Sequence, residues 1–498
     1  MKLNEENLSR IPIAKPGYDR GEIGIGIVHF GVGGFHRAHQ AMYVDRLLET
    51  GTANGWGICG VGVMPADRRM ADVMDSQDGL YTLVAEHPDG HPDARVIGSI
   101  VDYRYAPDDR EGVVELMAAP TTHIVSLTIT EGGYDIEGVG PDSVFGLVAD
   151  ALARRRDDGL PSFTIVSCDN IEGNGDVAQQ AFTAHAERTH PGLADWMTEH
   201  TRFPNSMVDR ITPVTTPDVI DSLAKEFGVE DQWPVAAEPF TSWVLEDDFS
   251  DGRPAFEDVD VLLVDDVTPY ELMKLRLLNA SHQSLCYFAY LAGYRLVHEA
   301  AEDPLFAEFL LKYMDSEATP TLLPVPGIDL PDYKRTLIER FANPGVRDTI
   351  VRLCYGSSDR IPKWLLPVIR ENLASGAPIR LSAATVASWA RYAEGVDEKG
   401  EPIDVQDQLS ETLVPLAKSQ LENPTAFLAH PVFGDLVKQE RFVEAYTWAL
   451  DSLHRHGARA TVEELVGGRG ERSDGERGRG ERSDGERGSG ERSDGQGK

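Results

Sequence analysis

Three observations predict an α/β protein whose first half holds a parallel sheet and whose second half is mainly α-helical. Residues 23–30, IGIGIVHF, form a buried-strand pattern that runs into GVGGFHRAHQ, a glycine turn followed by a helical pattern through Met42, Val44, Leu47 and Leu48. Strand-like apolar runs then alternate with helical ones, which implies a parallel sheet covered on both faces. From Pro269 the long patterns are helical.

The elements follow in order. Residues 56–63 make the second strand, 96–100 a further one, and 123–130 a clear one leading to Glu131, Gly132, Gly133 and Tyr134. Residues 145–155 read as a helix and 163–168 as a strand ending at Asp169 and Asn170. Shorter runs at 243–245 and 261–264 extend the sheet or form an adjunct to it. Helices are expected over 271–291, over 303–313 with Asp303 as cap and Pro304 first, over 364–373 with a kink at Pro367, and over 383–392 and 442–455. The organisation is a Rossmann-type nucleotide-binding domain with additional strands over 1–270, a helical substrate domain over 271–466, and a tail over 467–498. In that tail GERSDGERGR repeats with a period of ten. The unit has no aliphatic or aromatic residue, so stacked copies would bury nothing and the tail is expected to be disordered.

The formal net charge is −35 over 498 residues, and the tail is neutral, so the whole charge belongs to the preceding 466 residues. Such a body repels phosphate backbones, which argues against nucleic acid as a partner. The first ten residues lack the apolar core of a signal peptide, and no uncharged apolar run reaches membrane-spanning length. Cys59, Cys168, Cys286 and Cys354 lie far apart. They read as free buried thiols in a reducing cytoplasm.

The strand, glycine turn and helix around Gly31, Gly33, Gly34 and Phe35 are a candidate dinucleotide site. Gly31 permits a tight turn and Gly33 lets the backbone approach a pyrophosphate. His36 departs from the usual GxGxxG pattern. Asp67, after the second strand, is placed to accept hydrogen bonds from the adenosine ribose and so favours NAD. It lies 36 residues after Gly31, against the usual ~20. Arg68 and Arg69 point the other way, since either could receive a 2'-phosphate. His29, His36 and His39 are read as packing or capping groups around the turn, and no metal site is expected.

Residues 271–282, ELMKLRLLNASH, carry the densest chemistry. At about 100° per residue, Lys274, Glu271, His282 and Asn279 share an arc of about 140°, with Leu275 and Leu278 interleaved. Polar groups among leucines suit a partly buried site. A lysine buried there could have its pKa lowered enough to act as a general base, with Asn279 and His282 holding the reacting oxygen. A packed helix with structurally satisfied polar groups reads equally well from this segment alone.

That segment resembles the polyol-specific long-chain dehydrogenases, as do HFGVGGFHRAHQA, VSLTITEGGY, SCDN, FPNSMVDRITP, EPFTSWVLED, DPLF, TPTLLPVPGIDL and DYKRTLIERFANP. The likeness runs in one order from about Leu3 to about Val466. The resemblance implies a metal-independent, NAD-linked monomer that oxidises D-mannitol at C2 to D-fructose and catalyses the reverse reduction. It implies Lys274 as the general base, Asn170 and Asn279 as holders of the oxyanion, His282 as the orienting helix histidine, and Glu271 as the gate for proton exchange. It places Asp209 and Arg352 against the sugar chain. Arg360 stands where the family has a lysine, with Lys363 near enough to compensate, and an arginine fork is not equivalent to a lysine point charge. Ala280 stands where the family often has glycine, a change that favours the helix by roughly 1 kcal/mol. Arabinitol, sorbitol and mannonate are the rival substrates, and a nucleotide-binding protein without turnover is the rival class.

Overall fold

The structure is a computed structural model that describes residues 1–467; the expectation for the repeat over 468–498 lies outside the described residues. The strands are β1 (Ile25–Phe30), β2 (Gly57–Gly62), β3 (Tyr81–Glu86), β4 (Pro92–Ile97), β5 (Ile100–Tyr105), β6 (Ile124–Leu127), β7 (Thr164–Ser167), β8 (Ser206–Asp209), β9 (Val235–Ala237), β10 (Ser242–Glu246) and β11 (Leu262–Val264). Five of them form a sheet in the order β5-β2-β1-β6-β7, parallel throughout. This is the doubly wound arrangement, in which the strand order reverses beside β1 and a crevice opens at the carboxyl ends of β1 and β6. Every residue of β2, β6 and β7 is buried, as continuous apolar runs covered on both faces should be.

The remaining strands form two small sheets, β11-β10-β8 and β4-β3-β9. The runs at 243–245 and 261–264 therefore build an adjunct and do not extend the main sheet. The single strand expected at 96–100 is in fact a junction: Ile97 ends β4 in one sheet and Ile100 opens β5 in another, with Gly98 and Ser99 between. β3 was not foreseen from the sequence.

After Val264 the chain is helical. Its core contains Leu277, Phe288, Phe309, Trp389 and Tyr446, whereas the first half packs around Ile27, Trp243, Val28 and Leu147. A small seam of Met207, Val244, Val267 and Tyr270, packed against Val325 and Ile328, joins the halves. Asp303 caps the helix Pro304–Tyr313 by accepting from the Leu305 N–H (3.0 Å), with Pro304 at its first position. Pro367 does not kink a helix; it lies in the first turn of Leu366–Ser375, where its missing N–H costs nothing. The last helix, Glu440–Val466, outruns the expectation and is interrupted at Gly457 (φ 82°).

The helix expected over 271–291 differs most. Thr268–Met273 is α-helical, Lys274–Asn279 is a π-helix, and Ala280–Leu291 is α-helical again. A second π-turn, Met314–Ala318, packs against the first. The buried Glu317 in that turn accepts from the N–H groups of Leu381 (2.7 Å) and Ser382 (2.8 Å), so it caps the helix Arg380–Ala393 from a distant part of the chain. Glu317→Ala strands both N–H groups, and a loss of about 2 kcal/mol in unfolding free energy is expected. Denaturant unfolding checks this, and an unchanged midpoint would show that the cap contributes nothing.

Candidate active site

A cleft of about 480 Å³ lies where the carboxyl ends of β1, β6, β7 and β8 face the π-turn of the helical half. The glycine turn forms one wall. Gly31 has φ 92°, and a Cβ there would stand 2.1 Å from the Thr128 carbonyl oxygen, so only glycine fits. Gly33 is different, because a Cβ would meet nothing closer than 3.8 Å and would fill the cleft itself. Gly34 and Phe35 line the same wall. The helix they open is shorter than expected: it ends at Ala38, breaks at His39 (φ −121°, ψ −94°) and resumes at Gln40–Glu49.

Asp67 closes the turn after β2. Its Oδ2 accepts from the N–H groups of Val63 (2.9 Å) and Met64 (2.8 Å), which leaves acceptor capacity on the carboxylate. The two arginines beside it are engaged. Arg68 pairs with Asp108 (2.5 Å) and lies 4.2 Å over the Tyr105 ring, and Arg69 lies 4.2 Å over the Trp233 ring.

The catalytic candidates meet on the opposite wall. Lys274, Asn279 and His282 are buried and line the cleft together with Asn170. The π-turn explains how. Residues five apart on an α-helix point about 140° away from each other, whereas a π-turn closes i to i+5 and stacks them. Lys274 and Asn279 are five apart and span that turn. The Lys274 Nζ donates to Asn170 Oδ1 across the seam. Asn170 is held at the end of β7 by its neighbour Asp169, whose carboxylate accepts from Ile129 N (3.1 Å), Thr130 N (2.8 Å) and the Tyr134 hydroxyl (2.8 Å). The His282 ring lies 4.2 Å from that of Phe341, and burial holds its pKa down at about 3, so it is neutral. Its Nε2 has no hydrogen-bond partner among the described residues.

Glu271 sits behind Lys274 and not in the main cleft. The two share a smaller cavity of about 10 Å³, bordered by Asn170 and Ser206. Glu271 Oε1 accepts from Gly173 N (3.0 Å), yet burial outweighs that bond and raises its carboxyl from 4.5 to about 7.

The expected sugar-chain contacts divide. Asp209 lines the cleft, but its carboxylate is already forked by Arg340 (2.8 and 2.9 Å). Arg352 lines it and pairs with Asp348 through Nε (2.6 Å). Arg360 lines it too, donating to the carbonyls of Arg352 (3.2 Å) and Leu353 (3.1 Å). Lys363 does not. It is half exposed and its ammonium turns back one helical turn to Asp359 (2.7 Å), so the suggested compensation for Arg360 fails on geometry.

Sequence reasoning missed several groups. Thr130 lines the cleft at φ 67°, a strained state for a β-branched residue that its bond to Asp169 maintains. His36 lines it, stacks 3.4 Å from His29, and has no hydrogen-bond partner on either ring nitrogen among the described residues. The histidine-rich turn was visible in the sequence, but which of its histidines borders the cleft was not. Among the described residues, no group of three or more His, Cys, Asp and Glu side chains could hold a metal ion.

Comparison with known proteins agrees with this architecture. A profile for the mannitol dehydrogenase Rossmann domain matches residues 25–258, and one for the mannitol dehydrogenase C-terminal domain matches 266–454. A mannitol 2-dehydrogenase of Phaeosphaeria nodorum is 45% identical over 491 residues, covering 94% of this chain and 86% of that protein. The Pseudomonas fluorescens mannitol 2-dehydrogenase, solved as a ternary complex with NAD and D-mannitol, superposes with a TM-score of 0.86 at 42% identity, covering 94% of this chain and all of that one. A D-sorbitol dehydrogenase solved in substrate-free form also gives 0.86, at 35% identity, over 93% of this chain and all of that one. With both halves matched in order across nearly its whole described length, the chain belongs to the mannitol dehydrogenase family.

Proposed function

We propose that the protein oxidises D-mannitol at C2 with NAD+, giving D-fructose, NADH and a proton, and catalyses the reverse reduction. The observation that carries this reading is the pairing of Lys274 with Asn170 opposite the Gly31–Gly33 turn in one cleft, in a family with a member solved with NAD and D-mannitol. The cradle at Gly33 fits a dinucleotide, since the space a Cβ would occupy is the space a pyrophosphate needs. Asp67 would hold the adenosine ribose, and the engagement of Arg68 and Arg69 by their own partners supports NAD over its phosphorylated form.

When bound, the nicotinamide ring accepts the hydride from C2. Lys274, as the neutral amine, takes the proton of the C2 hydroxyl. Because Asn170 accepts from Lys274 through Oδ1, its amide N–H groups are left to stabilise the developing alkoxide, with Asn279 beside it. His282, on the cleft wall, would orient the same oxygen or its neighbour. Asp209 and the Arg352 and Arg360 wall hold the remaining hydroxyls. Glu271, poised near neutrality behind Lys274, passes the proton to solvent.

Arg352 bears on the choice of substrate. Its charge is already matched by Asp348, which suits an uncharged polyol better than a sugar acid. We also read the protein as a cytoplasmic monomer. Its four cysteines are free and buried, which suits a reducing compartment, and no helix among the described residues is long and apolar enough to cross a membrane.

Initial rates with mannitol, sorbitol, arabinitol and mannonate, each with NAD+ and NADP+, test the reading. Mannitol with NAD+ should give the highest kcat/KM, and a preference for mannonate would overturn it. Lys274→Ala should lower kcat by about 10²- to 10⁴-fold while NADH still binds, as fluorescence titration would show.

Glu271 has a folded pKa above its unfolded value, so its contribution to stability is present below about pH 4.5 and is lost as pH rises through about 7. Glu271→Gln does not ionise. Relative to the parent it should gain up to about 3 kcal/mol in unfolding free energy between pH 5 and pH 8. It should also flatten the pH dependence of mannitol oxidation near neutrality. An equal stability difference at both pH values would refute the shifted carboxyl.

A further inference from the structure

The end of the helix Leu330–Phe341 meets the cleft wall at two adjacent residues, of which Arg340 reaches across the seam. Phe341 packs against His282, and Arg340 enters a closed cluster of carboxylates. Arg340 donates end-on to Asp209 through Nη1 (2.8 Å) and Nη2 (2.9 Å), and side-on to Glu238 through Nε (2.9 Å) and Nη2 (2.8 Å). All three side chains are at most 5% exposed. The Phe240 ring lies 3.9 Å from the guanidinium carbon, and Glu238 Oε1 also accepts from Ile211 N (2.6 Å). Only Asp209 of the three lines the cleft.

Stability alone does not explain this cluster. A buried ion triad is often no more stabilising than well-packed apolar residues of the same volume. What apolar residues could not do is keep a desolvated carboxylate ionised at the cleft wall. Asp209 has about four acceptor sites, so two bonds from Arg340 leave capacity for substrate hydroxyls. The side-on clamp by Glu238 prevents the guanidinium from rotating, and so fixes the plane in which Asp209 lies.

We propose that Arg340, locked by Glu238, is a positioning residue that orients Asp209 toward the polyol hydroxyls and sets substrate affinity from the far side of the seam. This rests on the reading that Asp209 meets the substrate. Glu238 does not line the cleft; its carboxylate holds Arg340 and the Ile211 N–H.

Steady-state kinetics with D-mannitol and NADH titration on Asp209→Asn, Arg340→Lys and Glu238→Gln separate the two levels. A lysine cannot fork two carboxylates, so R340K should raise the KM for mannitol by about tenfold or more while kcat changes little. NADH affinity should be unchanged. E238Q should move KM the same way by less, although it does not touch the cleft. If D209N leaves KM unchanged, the reading of Asp209 itself falls. If D209N raises KM and folded R340K does not, the positioning role alone falls. It falls as well if R340K loses kcat and NADH affinity in step with KM, since that is a general structural defect. Should R340K not fold, E238Q decides: a raised KM at unchanged kcat supports the proposal, and an unchanged KM overturns it.

Discussion

The cleft depends on one widened turn of backbone. Lys274 and Asn279 bracket the π-helical stretch, and both line the cleft only because that turn stacks residues five apart. An ordinary α-turn would send one of them about 140° round the helix, into apolar packing. A π-turn is poor helix geometry and has to be held from outside. On its far side Arg276 forks Glu371 (2.9 and 2.7 Å), and the Tyr313 hydroxyl donates to the Arg276 carbonyl oxygen (3.2 Å). Tyr313 is itself the last residue before the second π-turn. The two distorted turns thus support each other, and the helical half exists in part to keep that distortion in place.

The catalytic candidates meet at the seam. Lys274 reaches Asn170, Glu271 reaches the Gly173 N–H, and Arg340 reaches Asp209, each bond joining the helical half to the sheet half. The apolar seam is small, so polar pairs carry much of the registration between halves. This is a demanding arrangement in a chain of net charge −35. Several acidic groups near the cleft have local partners: Arg340 is shared by Asp209 and Glu238, Arg352 pairs with Asp348, Asp169 accepts from two N–H groups and a hydroxyl, and burial raises the Glu271 pKa.

What could be read from the sequence follows the range of the causes. β1, its glycine turn and the alternation of strands and helices were legible because short-range periodicity and Gly31's conformation are local properties. Which residues would meet on the helical segment was legible as a set, but not in its geometry. Constant angular spacing assumes a regular helix, whereas the segment holds a π-turn contacted by the distant Glu371 and Tyr313. Arg340 was invisible because its partners lie 131 and 102 residues away. β3 was missed for a similar reason, since its partners β4 and β9 define it more than its own short run does. Lys363 misled because nearness in sequence to Arg360 said nothing about the competing pull of Asp359.

Lys274 lines two cavities, and the proposed mechanism assigns a different transfer to each. The main cleft holds the glycine turn, the two asparagines and His282, and the proposed mechanism puts hydride and alkoxide on that side. The small cavity holds Glu271 behind the amine, and on the proposed mechanism the proton would leave by that side. A lysine that exchanged protons through the cleft would need water where the cofactor and substrate must exclude it. With a carboxyl near neutrality behind it, the amine can be reset while the cleft stays filled. On the proposed mechanism, the buried Glu271 would let a single lysine serve both directions of the reaction. Its Gly173 contact holds it at the seam, where the two halves must already be in register for the relay to exist.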